Sequence, residues 1–169
     1  GWGILFDTDG DYRSYEFSLL VNGISEIIEF AENTSPLGTG NPSDVAETLH
    51  HSEAVVYGTN VRVLPAPTSF GGTPDFYLDF AFPVAQLTAS GITSPFRLLG
   101  GTSSNARSLS VDIAGSLLPP GDGVLDDVIS DPTDLDGTPH DGDGDGVPVG
   151  TDPDDDDPCN PDPLNHPLI

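Results

Sequence analysis

The last 50 residues constrain what this chain can fold into more than any other feature of the sequence. Residues 120–169 contain 15 aspartates and no glutamate, lysine or arginine, whereas residues 1–119 contain 13 acidic and 4 basic residues. A segment of this composition repels itself and lacks the apolar side chains needed for a core of its own. We therefore expect it to be ordered by bound cations or to be a solvated linker.

The composition changes at the sequence Leu-Pro-Pro-Gly, which begins at Leu118. All aromatic residues and most β-branched residues precede it, and a segment of that length can bury one hydrophobic core. The sequence therefore predicts two domains. The first is a globular domain over residues 1–117, and the second is an Asp/Gly/Pro-rich tail over residues 118–169.

The net charge of −24 excludes several classes of function. A chain without a basic patch does not bind nucleic acid or an anionic membrane surface electrostatically, and no apolar run approaches the roughly 18 residues of a membrane span. The single cysteine, Cys159, excludes an internal disulfide framework and a cysteine-based zinc site. It is expected to be buried, free or paired between chains. The absence of methionine predicts a processed mature form or an excised fragment.

Short apolar segments separated by turn residues predict an all-β first domain. Residues 76–82 alternate most clearly, so their even-numbered side chains are expected to face a core. Asn22-Gly23 predicts one hairpin and residues 58–60 predict the turn of another, while residues 45–50 and 84–87 are short helical candidates. The predicted strands are residues 2–6, 15–21, 24–30, 53–57, 61–64, 76–82, 96–99 and 109–113. This pattern favours a β-sandwich.

Two elements of the first domain resemble the jelly-roll domains related to family 9 carbohydrate-binding modules and to DOMON domains. One is a strand that ends in the Asp-rich turn from Phe6 to Asp11, and the other is a strand that runs from Phe80 through Pro83 to Leu87. The resemblance implies a jelly-roll fold over residues 1–115 and a glycan as one class of partner. Sugar-binding members stack the ligand between tryptophans, whereas this chain has one tryptophan, Trp2. Trp2 is expected in a core or an interface.

The tail contains a spacing that is typical of calcium-binding loops. Residues 141–152 follow the pattern Asp-x-Asp-x-Asp-Gly-x5-Asp, which is EF-hand-like with aspartate at the twelfth position. Calcium binds about six to eight oxygens, and alternate carboxylates in a tight loop point to one centre. The predicted calcium ligands of this loop are Asp141, Asp143, Asp145, the carbonyl of Val147, and Asp152.

Residues 121–162 resemble the thrombospondin type-3 calcium repeats of bacterial surface proteins. The Asp/Gly register is kept, although the paired cysteines of the animal repeats are missing. Incomplete motifs around the main loop supply further candidate calcium ligands, namely Asp122, Asp126, Asp134 and Asp136. The alternative is an Asp-rich disordered linker, which predicts no fixed register.

Asp7, Asp9 and Asp11 form another candidate calcium site, at the end of the first strand. A polar hairpin turn explains the same residues, since Tyr12 stands where an EF-type loop has glycine. The pair His50-His51 is more typical of a surface dipeptide than of a metal site, and the other histidines lack partners at ligand spacing.

No nucleophile elbow or phosphate-binding glycine loop is present, so we expect a protein that is not an enzyme. The sequence favours a secreted or cell-surface structural module stabilised by calcium, with the repeating subunit of an extracellular filament as one form. A chain that opens inside a strand predicts an edge that accepts a strand from a neighbour, and Leu164, Leu168 and Ile169 are candidates to reach it. Other surface proteins are alternative partners. The alternative functions are a carbohydrate-binding module of a larger extracellular protein and an accessory or linker region of an enzyme.

Overall fold

Eight strands and one six-residue helix form the regular structure in a computed structural model of the chain, which describes residues 1–10, 14–36, 43–67, 75–109, 111–113, 130–142 and 147–148. The elements are β1 (Trp2–Asp7), β2 (Phe17–Asn22), β3 (Ile27–Glu32), β4 (Thr48–Ala54), β5 (Val61–Ala66), β6 (Asp75–Phe80), α1 (Val84–Ala89), β7 (Arg97–Thr102) and β8 (Asp112–Ile113). The prediction of an all-β protein is confirmed. The predicted boundary between residues 117 and 118 lies outside the described residues.

The strands form two antiparallel sheets. A six-stranded sheet has the order β4-β3-β2-β1-β7-β8, and a separate two-stranded sheet contains β5 and β6. Strand β2 lies near the centre of the larger sheet, and all six of its residues are buried. Burial of consecutive residues, rather than of alternate ones, means that both faces of this sheet are covered.

Each face of the six-stranded sheet carries its own apolar cluster. The two-stranded sheet covers the first face, because Val61 of β5 is buried in that cluster and Leu78 and Phe80 of β6 pack against it. The apolar cluster on the second face is smaller and includes Tyr15, Leu20 and Leu99. The buried residues of the first cluster are Phe6, Phe17, Leu19, Val21, Ile28, Phe30, Val61, Ile92 and Phe96.

A β-bulge distorts the edge strand β4. The register between β3 and β4 shifts at Phe30, which lies opposite His51, while Ala31 lies opposite Leu49. His50 is therefore the extra residue, and a bulge of this kind turns two successive side chains to one face. The ring of His50 lies 6.0 Å from that of Phe30, and the ring of His51 lies 5.5 Å from that of Phe82. Both imidazoles thus contact the aromatic core.

The turn between β2 and β3 differs in detail from the predicted one. Asn22 is the last residue of β2 and pairs with Ile27, so four residues form the loop. The Asn22 carboxamide oxygen accepts hydrogen bonds from the backbone N–H groups of Ile24 and Ser25, at 3.0 and 3.1 Å. The positive φ of 52° falls on Glu26, not on Asn22. The asparagine therefore stabilises the turn through its side chain and not through its backbone conformation.

Two other predicted elements were wrong. Residues 45–50 were expected to be helical, but β4 begins within them at Thr48 and pairs with β3. The hairpin expected between residues 53–57 and 61–64 does not form, because β4 belongs to the larger sheet and β5 pairs with β6. The helix predicted over residues 84–87 is confirmed as α1.

Part of the Asp-rich segment packs against the six-stranded sheet. We name residues 130–142 the strap. Thr133 and Phe96 exchange two backbone hydrogen bonds of 2.8 and 3.0 Å, and the Ser130 N–H donates to the carbonyl of Leu98 at 2.8 Å. Leu135 packs against the first apolar cluster. The strap therefore lies beside residues 96–98, along the edge of β7 that the two-residue strand β8 covers only at Gly101 and Thr102.

Candidate metal site

Three carboxylates meet where β1 ends and β2 is about to begin. Asp7 is the last residue of β1, Asp9 lies in the following turn, and Glu16 precedes the first residue of β2. The antiparallel pairing of Phe6 with Phe17 holds these two chain segments side by side. One oxygen from each carboxylate lies within 4.8 Å of the other two, which makes this the one group of three candidate metal ligands among the described residues.

Hydrogen bonds to backbone groups fix the orientation of these carboxylates. Asp7 Oδ1 accepts a 2.7 Å bond from the N–H of Gly10, whose φ of 71° lies in the left-handed region that glycine adopts readily. Glu16 Oε2 accepts a 2.8 Å bond from the N–H of Thr8, and Glu16 Oε1 accepts a 3.0 Å bond from the hydroxyl of Ser14. The turn thus folds around its acidic side chains.

The electrostatics of this turn favour a positive charge. Asp7 is buried, with 1% of its surface exposed. Burial raises the pKa of the Glu16 carboxyl, and the negative charges of Asp9 and Asp7 raise it further, against the opposing hydrogen bonds from Thr8 and Ser14. A bound cation relieves the repulsion among carboxylates that are held close together.

The spacing of the three oxygens suits a hard cation. Calcium–oxygen distances are about 2.3–2.6 Å, so two ligands on opposite sides of one ion are separated by up to about 5 Å. A cleft of about 290 Å³ lies beside the turn and is lined by Asp7, Asp9, Arg97 and Pro132, among others. Because calcium takes about six to eight oxygens, the three carboxylates could supply part of the coordination shell of such an ion, and water would have to supply the rest.

The sequence predicted two of these three residues. Asp7 and Asp9 were expected in a calcium site, whereas Asp11 lies outside the described residues. Glu16 was missed, because it stands seven residues from Asp9 and belongs to no recognised spacing. The pairing of the flanking strands brings it to the turn. A single acidic residue before an otherwise apolar strand is the feature that could have identified it.

Other predicted ligands lie in the strap, at Val147, or outside the described residues. Asp136 Oδ1 accepts hydrogen bonds of 2.9 and 2.6 Å from the N–H and hydroxyl of Thr138, which lower the pKa of this carboxyl. Asp134 lies 3.1 Å from Nδ1 of His140. Within the described ranges, neither belongs to a group of three candidate ligands. Asp141 and Val147 are described, but the remaining predicted ligands, Asp122, Asp126, Asp143, Asp145 and Asp152, are not.

Two clefts adjoin on the face covered by the two-stranded sheet. The larger, of about 610 Å³, is lined mainly by apolar residues of β1, β6 and β7, with Arg62 and Asp79 also in its lining. The smaller, of about 270 Å³, lies beside Trp2, which is 47% exposed. Trp2 is thus accessible from solvent and not buried in a core.

Helix α1 contains six residues, and none of the helices described here is long and apolar enough to cross a bilayer. Comparisons of the chain with family models, with curated proteins and with solved structures found no match.

Proposed function

We propose that this chain is a calcium-stabilised structural module of the cell surface or extracellular space, that it is not an enzyme, and that it associates with copies of itself. Its two sheets would form a β-sandwich of jelly-roll type, and its Asp-rich tail would bind further calcium ions. The observation that carries the proposal is the convergence of Asp7, Asp9 and Glu16 to within 4.8 Å.

The location follows from the expected affinity of such a site. Three carboxylates and water make a weaker site than a full set of protein ligands, and calcium modules that work outside cells bind with dissociation constants of about 10⁻⁴–10⁻³ M. An ion held at that affinity is bound where calcium is abundant. The site joins the end of β1 to the start of β2, so the bound ion would stabilise the centre of the six-stranded sheet.

Calorimetric titration tests the proposed calcium site. The full chain should lose one class of calcium sites when Asp9 and Glu16 are replaced by Asn and Gln, since both changes keep the shape and remove a charge. Glu47→Gln serves as the control, because Glu47 is an exposed carboxylate that accepts hydrogen bonds from Thr34 and Ser35. Identical titrations of the double variant and the parent would refute calcium binding at this turn.

Carbohydrate binding is the second candidate function, and the exposure of Trp2 favours it. The indole lies beside a cleft that Gly100, Gly101 and Thr102 also line, and an accessible aromatic ring next to a groove can stack on a sugar. Binding of soluble glycans by the monomeric parent, lost on Trp2→Ala, would favour this function over the structural one. Ordered fibres in negative-stain micrographs would favour the structural function.

A further inference from the structure

We propose that the strap is exchanged between copies, so that residues 130–142 of one molecule dock on the β7 edge of the next. This inference deepens the proposed self-association and rests on it. It assigns the donated strand and the edge that receives it.

The docking surface consists mainly of backbone hydrogen bonds. Besides the paired bonds between Phe96 and Thr133, the N–H of Leu98 donates to the hydroxyl of Ser130 at 2.9 Å, and the N–H of Leu135 donates to the hydroxyl of Ser94 at 3.0 Å. Leu135 is the apolar side chain of the strap that packs against the core. Such an interface is specific, and an identical edge on another copy offers the same backbone groups in the same positions, so the strap makes the same contacts on either edge.

The strap also holds its own shape. The N–H of Asp134 donates to the carbonyl of Thr138 at 2.9 Å, and the N–H of His140 donates to the carbonyl of Pro132 at 2.9 Å. The His140 ring lies against the carboxylate of Asp134. These bonds lie within the strap and do not depend on the edge, so the segment can dock as a unit.

The length of the connection allows exchange. Strand β8 pairs with Gly101 and Thr102, and the strap returns to the same edge at Leu98, three residues along β7 and thus about 10 Å away. Residues 114–129 connect the two, and 16 extended residues reach about 50 Å. The connection is several times longer than the gap, so it can also reach the edge of a neighbouring molecule.

Charge favours the same pairing. The strap carries Asp131, Asp134, Asp136 and Asp141, and the receiving edge carries Arg97, one of 4 basic residues in a chain of net charge −24. The Arg97 guanidinium donates to the carbonyl of Ser130 at 3.2 Å. Two copies of so acidic a chain repel one another over most of their surfaces. This edge is a place where an acidic segment of one copy meets a cation of another.

Exchange has a consequence for assembly. Each molecule gives its strap through one surface and receives a strap through a different one, so the contact is heterologous. Such contacts produce rings when the rotation closes and open filaments when it does not. A filament of this kind needs no interface beyond the contacts already present between the strap and β7.

Cross-linking of mixed isotopic chains tests the proposal. The full-length chain would carry Ser94→Cys and Leu135→Cys in a Cys159→Ser background, and chains labelled with ¹⁴N and ¹⁵N would be refolded together in calcium and oxidised. Exchange predicts that about half of the peptides joined between positions 94 and 135 are ¹⁴N/¹⁵N hybrids, because each strap samples neighbours at random. Exclusively unmixed peptides, or no cross-link between these positions, would overturn it.

The second measurement is the molar mass in solution of the parent chain, which keeps Ser94, Leu135 and Cys159. The parent should be multimeric in calcium by light scattering, and Thr133→Pro should shift it toward monomer, because proline lacks the N–H that donates to the carbonyl of Phe96. A monomeric parent would refute both self-association and exchange. A multimer without hybrid peptides would refute exchange alone, and calcium titration tests the metal site independently of both.

Discussion

The hydroxyl of Tyr15 donates a 2.7 Å hydrogen bond to the backbone carbonyl of Asp44, across 29 positions of the sequence. Tyr15 is 2% exposed, and burial together with the charge of Asp44 raises the pKa of its hydroxyl. The bond fastens the segment that precedes β4 to the segment that precedes β2. It therefore joins two parts of the chain that share no strand pairing.

Tyr15→Phe should destabilise the fold by about 1–3 kcal/mol, because it leaves a buried carbonyl without its donor while keeping the ring in place. Thermal unfolding of the parent and the variant would measure the difference. Tyr57→Phe is the matched control, since Tyr57 is 64% exposed and its hydroxyl can form hydrogen bonds with water. Equal unfolding temperatures for the Tyr15 variant and the parent would contradict this role of the bond.

Gly3→Ala should also destabilise the protein, for a steric reason. A Cβ at position 3 would overlap Leu20 Cδ2 and would lie 2.6 Å from the Leu19 carbonyl oxygen, and this oxygen belongs to the backbone and cannot turn away. Overpacking of this kind costs about 1–3 kcal/mol. Gly23→Ala meets no atom within 4 Å and should leave the unfolding temperature unchanged. Denaturant titration of both variants would decide whether the two positions differ.

Local patterns predicted most strands of this protein but not their partners. The alternation of residues 76–82 correctly placed Leu78, Phe80 and Phe82 against the core. Phe76, at the other end of the same pattern, is 51% exposed. Periodicity shows which side chains share a face, whereas the length over which that face is covered depends on the opposing sheet.

The failed hairpin has a similar cause. Gly58, Thr59 and Asn60 do form a turn, but the Asn60 side chain binds backward, to the N–H of Val56 at 2.8 Å and to the carbonyl of Ala54 at 2.9 Å. The chain leaves the larger sheet before this turn and enters the smaller one after it. Two strands in sequence were predicted to pair because neighbours usually do, and long-range packing overrode that preference.

Replacement of Glu16 by Gln should change stability in opposite directions with and without calcium. In the folded state the pKa of Glu16 is raised above its ordinary value of 4.5, so the folded chain binds this proton more tightly than the unfolded chain does. The contribution of this proton to the free energy of unfolding is complete below pH 4.5. It is lost as the pH rises through the pKa of Glu16 in the folded chain. In EDTA at neutral pH, Glu16→Gln should therefore unfold at a higher temperature than the parent.

In calcium the order should reverse, because the parent gains the free energy of ion binding and the variant does not. Thermal melts from pH 4 to pH 8, with EDTA and with calcium in millimolar excess, would show both effects. The same order of unfolding temperatures in the two buffers would contradict a calcium ion at Glu16.

The strap should stabilise the first domain when it is present in the same polypeptide. A chain of residues 1–117 is expected to fold without calcium, since both apolar clusters draw almost all their residues from it. A chain of residues 1–142 adds the bonds from Ser130, Thr133 and Leu135 and should unfold at a higher temperature. Circular dichroism melts in EDTA would compare the two. A random-coil spectrum for residues 1–117 would contradict independent folding, and coincident melts would contradict stabilisation by the strap.

Calcium binding by the Asp-rich loop of residues 141–152 should depend on the exact spacing of its carboxylates. Asp→Asn keeps the side-chain shape and removes one negative charge, and calcium affinity in such loops is tuned by the number of charged ligands. The double variant Asp143→Asn/Asp145→Asn should therefore bind calcium more weakly than Asp126→Asn/Asp127→Asn, where the motif is incomplete. Binding also supplies the free energy that orders a loop with no core of its own.

Limited proteolysis should consequently cut the Asp143→Asn/Asp145→Asn variant between residues 140 and 155 before the strands are affected. Equal calcium affinity and equal proteolysis of the Asp143/Asp145 variant and the parent would mean that the register is an accident of an aspartate-rich linker.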